Sequence, residues 1–331
     1  FSIICPAFVL NSMANIRFFT DITSKDICSA GGKGASLGEM TGAGIPVPPG
    51  FVIVAQAFDR FIAESHLKEE IAARLSEAKP DDMNSVERVS AVLRDVIHDT
   101  PMPDDLQTEI LAEFEKLGAE FVAVRSSATA EDSSIASWAG ELETYLNITR
   151  ENLLENVKRC WSSLFTPRAI FYRHEKNLID HDVSVAVVIQ KMIQSEVSGV
   201  AFTVHPVTED YDQMIIEACF GLGEALVGGL VTPDSYVISK ANMSIVDIST
   251  GEQTRYLKKA KKPVSVRLGR TAPGKLETNE WVVLRPEEGK KQKLSGKQII
   301  ELAELCLKIE KHYGFPCDIE WAFANGQSGV Y

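Results

Sequence analysis

FPCDIEWAF, residues 315–323, is the segment around which this sequence is organised. If the segment is a strand, alternation points Asp318 and Glu320 to one side and Ile319 and Trp321 to the core. The segment has no lysine or arginine, so a bound cation would relieve the repulsion between the two carboxylates. Mg²⁺ suits such a place because it takes one or two protein carboxylates and leaves its other positions to water and substrate phosphate. Taken alone, the pattern favours a half-exposed strand with two solvated acids.

The composition is that of a globular protein with a net negative charge. The chain has 331 residues, of which 45% are hydrophobic and 24% charged, and this length allows two or three lobes with cores. Its 34 basic and 46 acidic residues give a formal net charge of −12. This charge argues against nucleic acid or an anionic membrane as a partner. A small anionic ligand is still compatible with it where basic groups gather locally.

The first residues and the cysteines bear on location. Residues 1–10 are apolar, but they are too short to span a membrane and lack a basic leader. Because Met13 stands just before the first patterned segment, we expect residues 1–15 to be a non-native or disordered extension. The six cysteines lie far apart with no C-x-x-C pair, which argues against a zinc site and a disulfide framework. Reduced thiols and a cytoplasmic location are the simplest interpretation.

A glycine-rich segment surrounds Lys33. Residues 29–38 hold four glycines around this lysine, so backbone N–H groups can approach a ligand closely. Ala35 to Met40 predicts the first turns of a helix, whose N-terminus favours an anion. The spacing is not that of a Walker A loop. We interpret Lys33 as a lysine that reaches phosphate oxygens; the alternative is a surface loop without a ligand.

A second candidate for phosphate binding follows a predicted strand at residues 121–124. This strand would deliver residues 125–132 to its C-terminal end, where ligands bind in open α/β sheets. The Arg125 guanidinium can fork two phosphate oxygens while hydroxyls and backbone N–H groups take the rest. Each such charge-assisted bond is worth roughly 1.5–3 kcal/mol. The alternative is a turn in which Arg125 pairs with Glu131 or Asp132.

The next segment returns towards the same place. Residues 138–141 turn into a strand at residues 144–147, so Gly140 and Thr144 can lie against the same ligand. Thr149 is the predicted N-cap of a strongly amphipathic helix. Its apolar stripe predicts core: Leu153, Leu154, Val157, Cys160, Trp161, Leu164 and Phe165.

The remaining patterns predict scaffold. Residues 56–118 are mostly helical in pattern and show no chemistry. Residues 183–193 predict a buried strand on which Gln190, by composition alone, is as well explained as a structural amide. The basic run at residues 258–262 predicts a solvated loop. Ser295 and Gln298 form a capping box for a helix that ends at Gly314. Two antiparallel pairs are also predicted: residues 198–203 with 214–218, and 236–238 with 244–248.

Five of these motifs together resemble a known group of proteins. They are GGKGASLGEM (31–40), AVRSSATAED (123–132), AGELETYLN (139–147), GLGEALVGGLVTPDSY (221–236) and FPCDIEWA (315–322). In this order they are similar to the N-terminal domain of the phosphoenolpyruvate synthase, pyruvate phosphate dikinase and rifampicin phosphotransferase group. The resemblance implies an α+β or α/β fold of the ATP-grasp type, in which two lobes clasp ATP.

The resemblance also implies roles for individual residues. Lys33 and Arg125 would hold the ATP phosphates and act as the catalytic pair, and Gln190 would bind the base. The nucleotide site would be lined by Gly140 and Thr144. The metal ligands would be Glu320 and Asp318, with Mg²⁺ as the cofactor beside ATP.

The resemblance further implies a division of the chain. Residues 16–190 would be the N-terminal lobe with a helical insertion, and residues 191–331 the C-terminal lobe, truncated before its last strand. In the family a strand with a Gln-x-Arg-Pro motif follows, and a phosphohistidine domain and a pyruvate-binding barrel belong to the parent chain. We therefore expect this fragment to bind nucleotide at most and to be inactive alone.

Several functions stay open at this point. The implied parent transfers the pyrophosphoryl group of ATP to a histidine, releases AMP and phosphate, and then phosphorylates pyruvate. The Asp-Ile-Glu-Trp form resembles the water-dependent synthase and the antibiotic kinase more than the phosphate-dependent dikinase. Residues 228–234 lean towards the antibiotic kinase. A non-catalytic nucleotide-binding or interaction module is another possibility. An ATP-grasp ligase that joins a carboxylate to an amine would need a complete second metal-binding strand and an acyl-acceptor pocket.

Overall fold

The computed structural model describes residues 14–129, 143–176, 183–266, 275–324 and 329–331. Within them the protein is a mixed α/β structure whose named strands pair antiparallel. The chain divides into two compact units, Phe1–Gly42 with Pro48–Met192, and Ala43–Val47 with Ile193–Tyr331. Among the helices in the described ranges, none has the length and hydropathy needed to cross a bilayer.

The first unit is built on a five-stranded sheet with the order β1-β2-β5-β3-β4. Its strands are β1 (Ile16–Phe18), β2 (Gly50–Ile53), β3 (Val122–Ala128), β4 (Thr144–Ile148) and β5 (Val185–Lys191). Its helices are α1 (Ile27–Gly42), α2 (Ala55–Glu64), α3 (Lys68–Glu77), α4 (Met83–Asp99), α5 (Asp104–Leu117), α6 (Leu153–Ser162) and α7 (Pro167–Glu175).

The core of the first unit lies on one side of this sheet. Val122 and Val124 of β3 pack there with the apolar faces of α4, α5 and α6. The predicted stripe of α6 is confirmed as core, with Trp161 fully buried and its ring 5.0 Å from that of Phe61. The predicted N-cap is wrong. The hydroxyl of Thr149 donates to Glu151 instead, and a short 3₁₀ turn at Arg150–Asn152 separates it from α6.

Strand β3 differs from the prediction in its length and its sheet. It continues to Ala128, so Arg125 lies inside the strand and not in a loop after its end. The sheet is antiparallel, so the strand-end rule for open parallel sheets does not apply here. The small residues Ser126 to Ala128 are buried on both sides and continue the pairing with β5. Burial against the neighbouring strand explains the extra length, which local sequence alone does not indicate.

The second unit contains another five-stranded sheet, ordered β12-β6-β7-β8-β9, and a two-stranded ribbon. The sheet strands are β6 (Ser195–Phe202), β7 (Gln213–Phe220), β8 (Asp234–Ser239), β9 (Ser244–Ser249) and β12 (Asp318–Ala324). The ribbon strands are β10 (Arg255–Val266) and β11 (Lys275–Val283), and the helices are α8 (Glu224–Val227), α9 (Pro286–Gly289) and α10 (Gly296–Tyr313).

Helix α10 covers one face of the second sheet. Its residues Ile299, Leu302 and Cys306 are buried in a cluster with Trp321 and Tyr236 of the sheet. Both helix ends agree with the sequence. Ser295 and Gln298 form the capping box at the N-terminus, and Gly314 ends the helix in the left-handed conformation.

Two other predictions need correction. The basic run at residues 258–262 is not a loop but part of β10, and Lys258 pairs across the ribbon with Glu280 at 3.5 Å. The expectation of reduced thiols holds for Cys160, Cys219, Cys306 and Cys317, but Cys28 is disulfide-bonded.

Candidate functional site

The glycine-rich segment around Lys33 is folded against strand β3. Helix α1 breaks at Gly31, whose φ of 68° lies in the left-handed region. A Cβ atom added to Gly31 would lie 2.2 Å from the Ser127 hydroxyl oxygen, so only glycine fits this close approach. Three residues on, the Gly34 backbone N–H donates to the same hydroxyl at 3.3 Å. Lys33 therefore sits between two contacts that tie α1 to β3.

Arg125, Thr144 and Gln190 lie on the sheet face that α1 covers. Val122 and Val124 point into the core, so alternation points Arg125 and Ser127 to the opposite, α1-facing side. Thr144 and Val188 are the cross-strand partners of Arg125 on β4 and β5, and such partners share a face with Cβ atoms about 5 Å apart. Gln190 is two residues beyond Val188 and therefore shares that face.

The charge of Lys33 also acts on helix α6, on the core side of the sheet. Burial raises the pKa of the Cys160 thiol well above its ordinary value, and nearby Glu143 adds to this rise. The Lys33 ammonium opposes it by lowering the pKa of Cys160. Lys33 is therefore close enough to α6 for its charge to act there. Arg125, Thr144 and Gln190 share one sheet face, and Lys33 belongs to the helix that covers this face.

Gln190 is 7% exposed, and its amide is held by the backbone. Its Nε2 donates to the Pro48 carbonyl at 3.3 Å. The strand partners of Gln190 are Gly50 and Ala123. This bond fixes the orientation of the side chain, as expected for a structural amide or for one positioned to bind a base.

Asp318 and Glu320 have the predicted alternation on β12. Both side chains are exposed, while Trp321 and Phe323 are buried in the core with α10. Two carboxylates on one side of a strand match the number that Mg²⁺ takes when substrate phosphate supplies further oxygens. No group of three or more histidine, cysteine or acidic side chains suited to a metal occurs in the described ranges.

A third carboxylate on this sheet face was missed by sequence reasoning. Val200 of β6 is the cross-strand partner of Glu320 on one side and of Glu217 on the other. Glu217 therefore shares a row and a face with Glu320. Burial raises the pKa of Glu217 above its ordinary value. The only sequence signal was the alternation in residues 214–218, where Glu217 interrupts an apolar strand.

Asp234 of the TPDSY motif belongs to the interior. Its carboxylate accepts hydrogen bonds from the backbone N–H groups of Gly251 and Lys293, from the Lys293 ammonium at 2.8 Å and from the Tyr236 hydroxyl. The Asp234 and Lys293 side chains are both 0% exposed. Asp234 therefore holds β8, the turn at Gly251 and the entry to α10 together, and it is not a ligand-binding group.

Of the candidate site residues and their alternative partners, three have no structural account. Gly140, Glu131 and Asp132 lie outside the described residues. The other candidates fall into two groups. Lys33, Arg125, Thr144 and Gln190 belong to the first unit, and Asp318 and Glu320 belong to the second.

Comparison with known proteins gives the family. The sequence model of one protein family, the pyruvate phosphate dikinase AMP/ATP-binding domain, matches residues 27–331. The chain belongs to this family. The resemblance inferred from the five motifs is thereby confirmed, and with it the assignment of ATP as the ligand class of the domain.

Three relatives of this chain are named phosphoenolpyruvate synthase or probable phosphoenolpyruvate synthase. The chain is 44% identical over 326 residues to the probable phosphoenolpyruvate synthase of Methanocaldococcus jannaschii. This match covers 96% of the chain and 26% of the relative. It is 42% identical over 318 residues to the probable phosphoenolpyruvate synthase of Methanothermobacter thermautotrophicus, and this match covers 94% of the chain and 44% of the relative. It is 38% identical over 356 aligned positions to the phosphoenolpyruvate synthase of Pyrococcus furiosus, and this match covers 96% of the chain and 42% of the relative. The chain thus spans less than half the length of these relatives.

Proposed function

We propose that this chain is the ATP- and Mg²⁺-binding domain of a phosphoenolpyruvate synthase-like dikinase, with an ATP-grasp fold. The parent enzyme would transfer the pyrophosphoryl group of ATP to a histidine on another of its domains, release AMP and phosphate, and phosphorylate pyruvate. The observation that carries the proposal is the shared sheet face of Arg125, Thr144 and Gln190, with Lys33 on the helix that covers it. Family membership and the names of the relatives support it.

Each residue has a physical role in this proposal. Lys33 and Arg125 neutralise the phosphates, and the Arg125 fork also orients two oxygens. Thr144, the cross-strand partner of Arg125, lines the same place, while the fixed amide of Gln190 binds the base. Positioning and charge neutralisation make up most of what phosphoryl transfer requires from a protein.

Asp318 and Glu320 would hold Mg²⁺. The bound ion would supply charge neutralisation at the phosphate oxygens. Two exposed carboxylates on one strand fit an ion that takes its remaining ligands from water and nucleotide. Glu217, in the row of Glu320, adds negative charge on the same face.

Calorimetric titration with the β,γ-imido analogue of ATP, with and without Mg²⁺, tests the proposal. We expect binding that Mg²⁺ strengthens. Lys33→Ala and Arg125→Ala should each weaken it about tenfold to a hundredfold, the loss of a charge-assisted bond. The double variant Asp318→Asn/Glu320→Gln should remove the effect of Mg²⁺ while analogue binding persists.

Lys297→Ala is the matched control. Lys297 is an exposed lysine of α10, 3.5 Å from Glu301, and its loss removes one positive charge from the chain without touching the candidate residues. Affinity should stay at the wild-type value. Equal affinity of Lys33→Ala, Arg125→Ala and Lys297→Ala would refute the phosphate site.

A further inference from the structure

Glu143 is next to the candidate phosphate site along the chain. Its carboxylate, however, lies on the opposite side of the sheet. Glu143 directly precedes Thr144, so alternation points its side chain away from the α1-facing side. There the Arg94 guanidinium of α4 donates to its two carboxylate oxygens at 3.0 and 3.3 Å, and the Tyr145 hydroxyl donates to it as well. The Glu143 carboxylate thus joins β4 to a helix of the segment that sequence analysis assigned to scaffold.

The main chain of Glu143 is joined to β3 at the next residue after Arg125. Its carbonyl oxygen accepts from the Ser126 backbone N–H at 3.1 Å and from the Ser126 hydroxyl at 2.9 Å. The next pair along the two strands is Arg125 with Thr144. The two candidate ligand residues therefore lie directly beside the point where Glu143 is fixed.

Glu143 lies among several cations, and a second acid of this neighbourhood, Glu155, pairs with Arg159. Arg159 of α6 lies over the Tyr145 ring at 5.9 Å. The pKa of His98 is lowered, first by burial and then by the charges of Arg159, Arg94 and Lys158. Burial raises the pKa of the Tyr145 phenol, and Glu143 raises it further, so Tyr145 stays a neutral donor. Removing the Glu143 charge would leave Arg94 beside other cations and release its hold on β4.

We propose that Arg94, Glu143 and Tyr145 form a positioning clamp for the nucleotide site, acting through Ser126 on Arg125 and through β4 on Thr144. The clamp does not touch the ligand, because its side chains lie on the other side of the sheet from Arg125. This inference rests on the proposed nucleotide site. It gives the helical segment a functional role: α4 fixes the strand pair whose far face binds phosphate.

Titration of the ATP analogue into clamp variants tests this inference. Glu143→Gln keeps the shape of the side chain but removes its charge, and Arg94→Met removes the partner. We expect each to weaken binding about tenfold, since a misplaced cation loses roughly one charge-assisted bond. Arg94→Lys should recover part of the affinity. The double variant should be no weaker than either single one, because both break the same connection.

The control is Arg60→Met in the same helical segment. Arg60 pairs with Glu64 and Asp105 at 2.7 Å each, away from β4, and its loss should leave affinity unchanged. Amide hydrogen exchange reports on the clamp directly. Exchange at Ser126 should become faster in Glu143→Gln and Arg94→Met but not in Arg60→Met.

The outcomes separate this inference from the proposed function. If the wild-type chain fails to bind the analogue, both are overturned. If the wild-type chain binds the analogue, and if Lys33→Ala weakens binding while the clamp variants do not, only the clamp is overturned. Weaker binding in the clamp variants with unfolding midpoints equal to that of Arg60→Met supports it. If Glu143→Gln does not fold, Tyr145→Phe, which removes one hydroxyl, is used, and unchanged affinity and Ser126 exchange in that variant overturn the clamp.

Discussion

The two faces of the second sheet treat acidic residues in opposite ways. On the face covered by α10, Asp234 is 0% exposed and accepts bonds from four donor groups, one of them the buried Lys293 ammonium. On the other face, Asp318 and Glu320 are exposed, and Glu217 is half-buried. The rows that carry these two sets are adjacent along the strands, so a shift of one residue in register would exchange them.

The difference in exposure separates carboxylates that stabilise the fold from carboxylates that can bind a ligand. A carboxylate that is enclosed with a cation and three further donors has its lone pairs filled, and it stabilises the elements that supply the donors. A carboxylate on an exposed strand can be reached from solvent by a cation such as Mg²⁺. Acidic residues in two motifs of one family thus have different roles: a structural role at Asp234 and a candidate ligand role at Glu320.

Breaking the buried pair should give the largest effect. Lys293→Met leaves the Asp234 charge buried without its cation, and we expect a loss of about 3–5 kcal/mol in the free energy of unfolding. Urea unfolding measures it. Lys297→Met, which breaks an exposed pair with Glu301, should change stability by less than about 0.5 kcal/mol. Equal effects of the two variants would contradict the contrast between the faces.

A smaller effect is expected from filling space on the covered face. Gly199 lies between Trp321 and Ala218 in the row that includes Asp234. A Cβ atom there would approach the Glu217 carbonyl oxygen to 1.8 Å and the Trp321 ring to 2.6 Å. Gly199→Ala should therefore cost about 1–3 kcal/mol of unfolding free energy. The control is Gly42→Ala, because a Cβ atom added to Gly42 meets nothing within 4 Å. Gly229 also has open space around it, but its positive φ would strain an alanine.

The smallest effect is expected at Glu217, which lies between the two extremes. Burial raises its pKa from the ordinary value of 4.5, so the folded state binds a proton that the unfolded state has released. Stability should fall as the pH rises from about 4.5 through the raised pKa. Glu217→Gln should remove this part of the pH dependence and leave the chain more stable than wild type at neutral pH. An unchanged pH profile would mean that Glu217 is not desolvated.

The sequence was most informative where local chemistry acts alone. The capping box at Ser295 and the left-handed glycine at Gly314 set both ends of α10, and the apolar stripe of α6 formed core as expected. Alternation on β12 was correct because its period follows from strand geometry. Family membership followed from five ordered motifs.

Two failures arose where distant segments supply the partner. Ser126 to Ala128 continue β3 because β5 lies beside them, and Lys258 and Lys259 belong to a strand because β11 pairs with them. The failure at Thr149 was local: its hydroxyl donates to Glu151, two residues on, and a 3₁₀ turn separates Thr149 from α6.

By itself the sequence determined the family, both ends of α10 and the residue types suited to phosphate and Mg²⁺, because these depend on local pattern and on side-chain chemistry. Only the tertiary structure decided which acids are buried, that Arg125, Thr144 and Gln190 share one sheet face, and that Glu143 is held by Arg94, 49 residues away along the chain. The physical reason is that burial and strand pairing join segments far apart in the chain. No local pattern specifies which partner will be there.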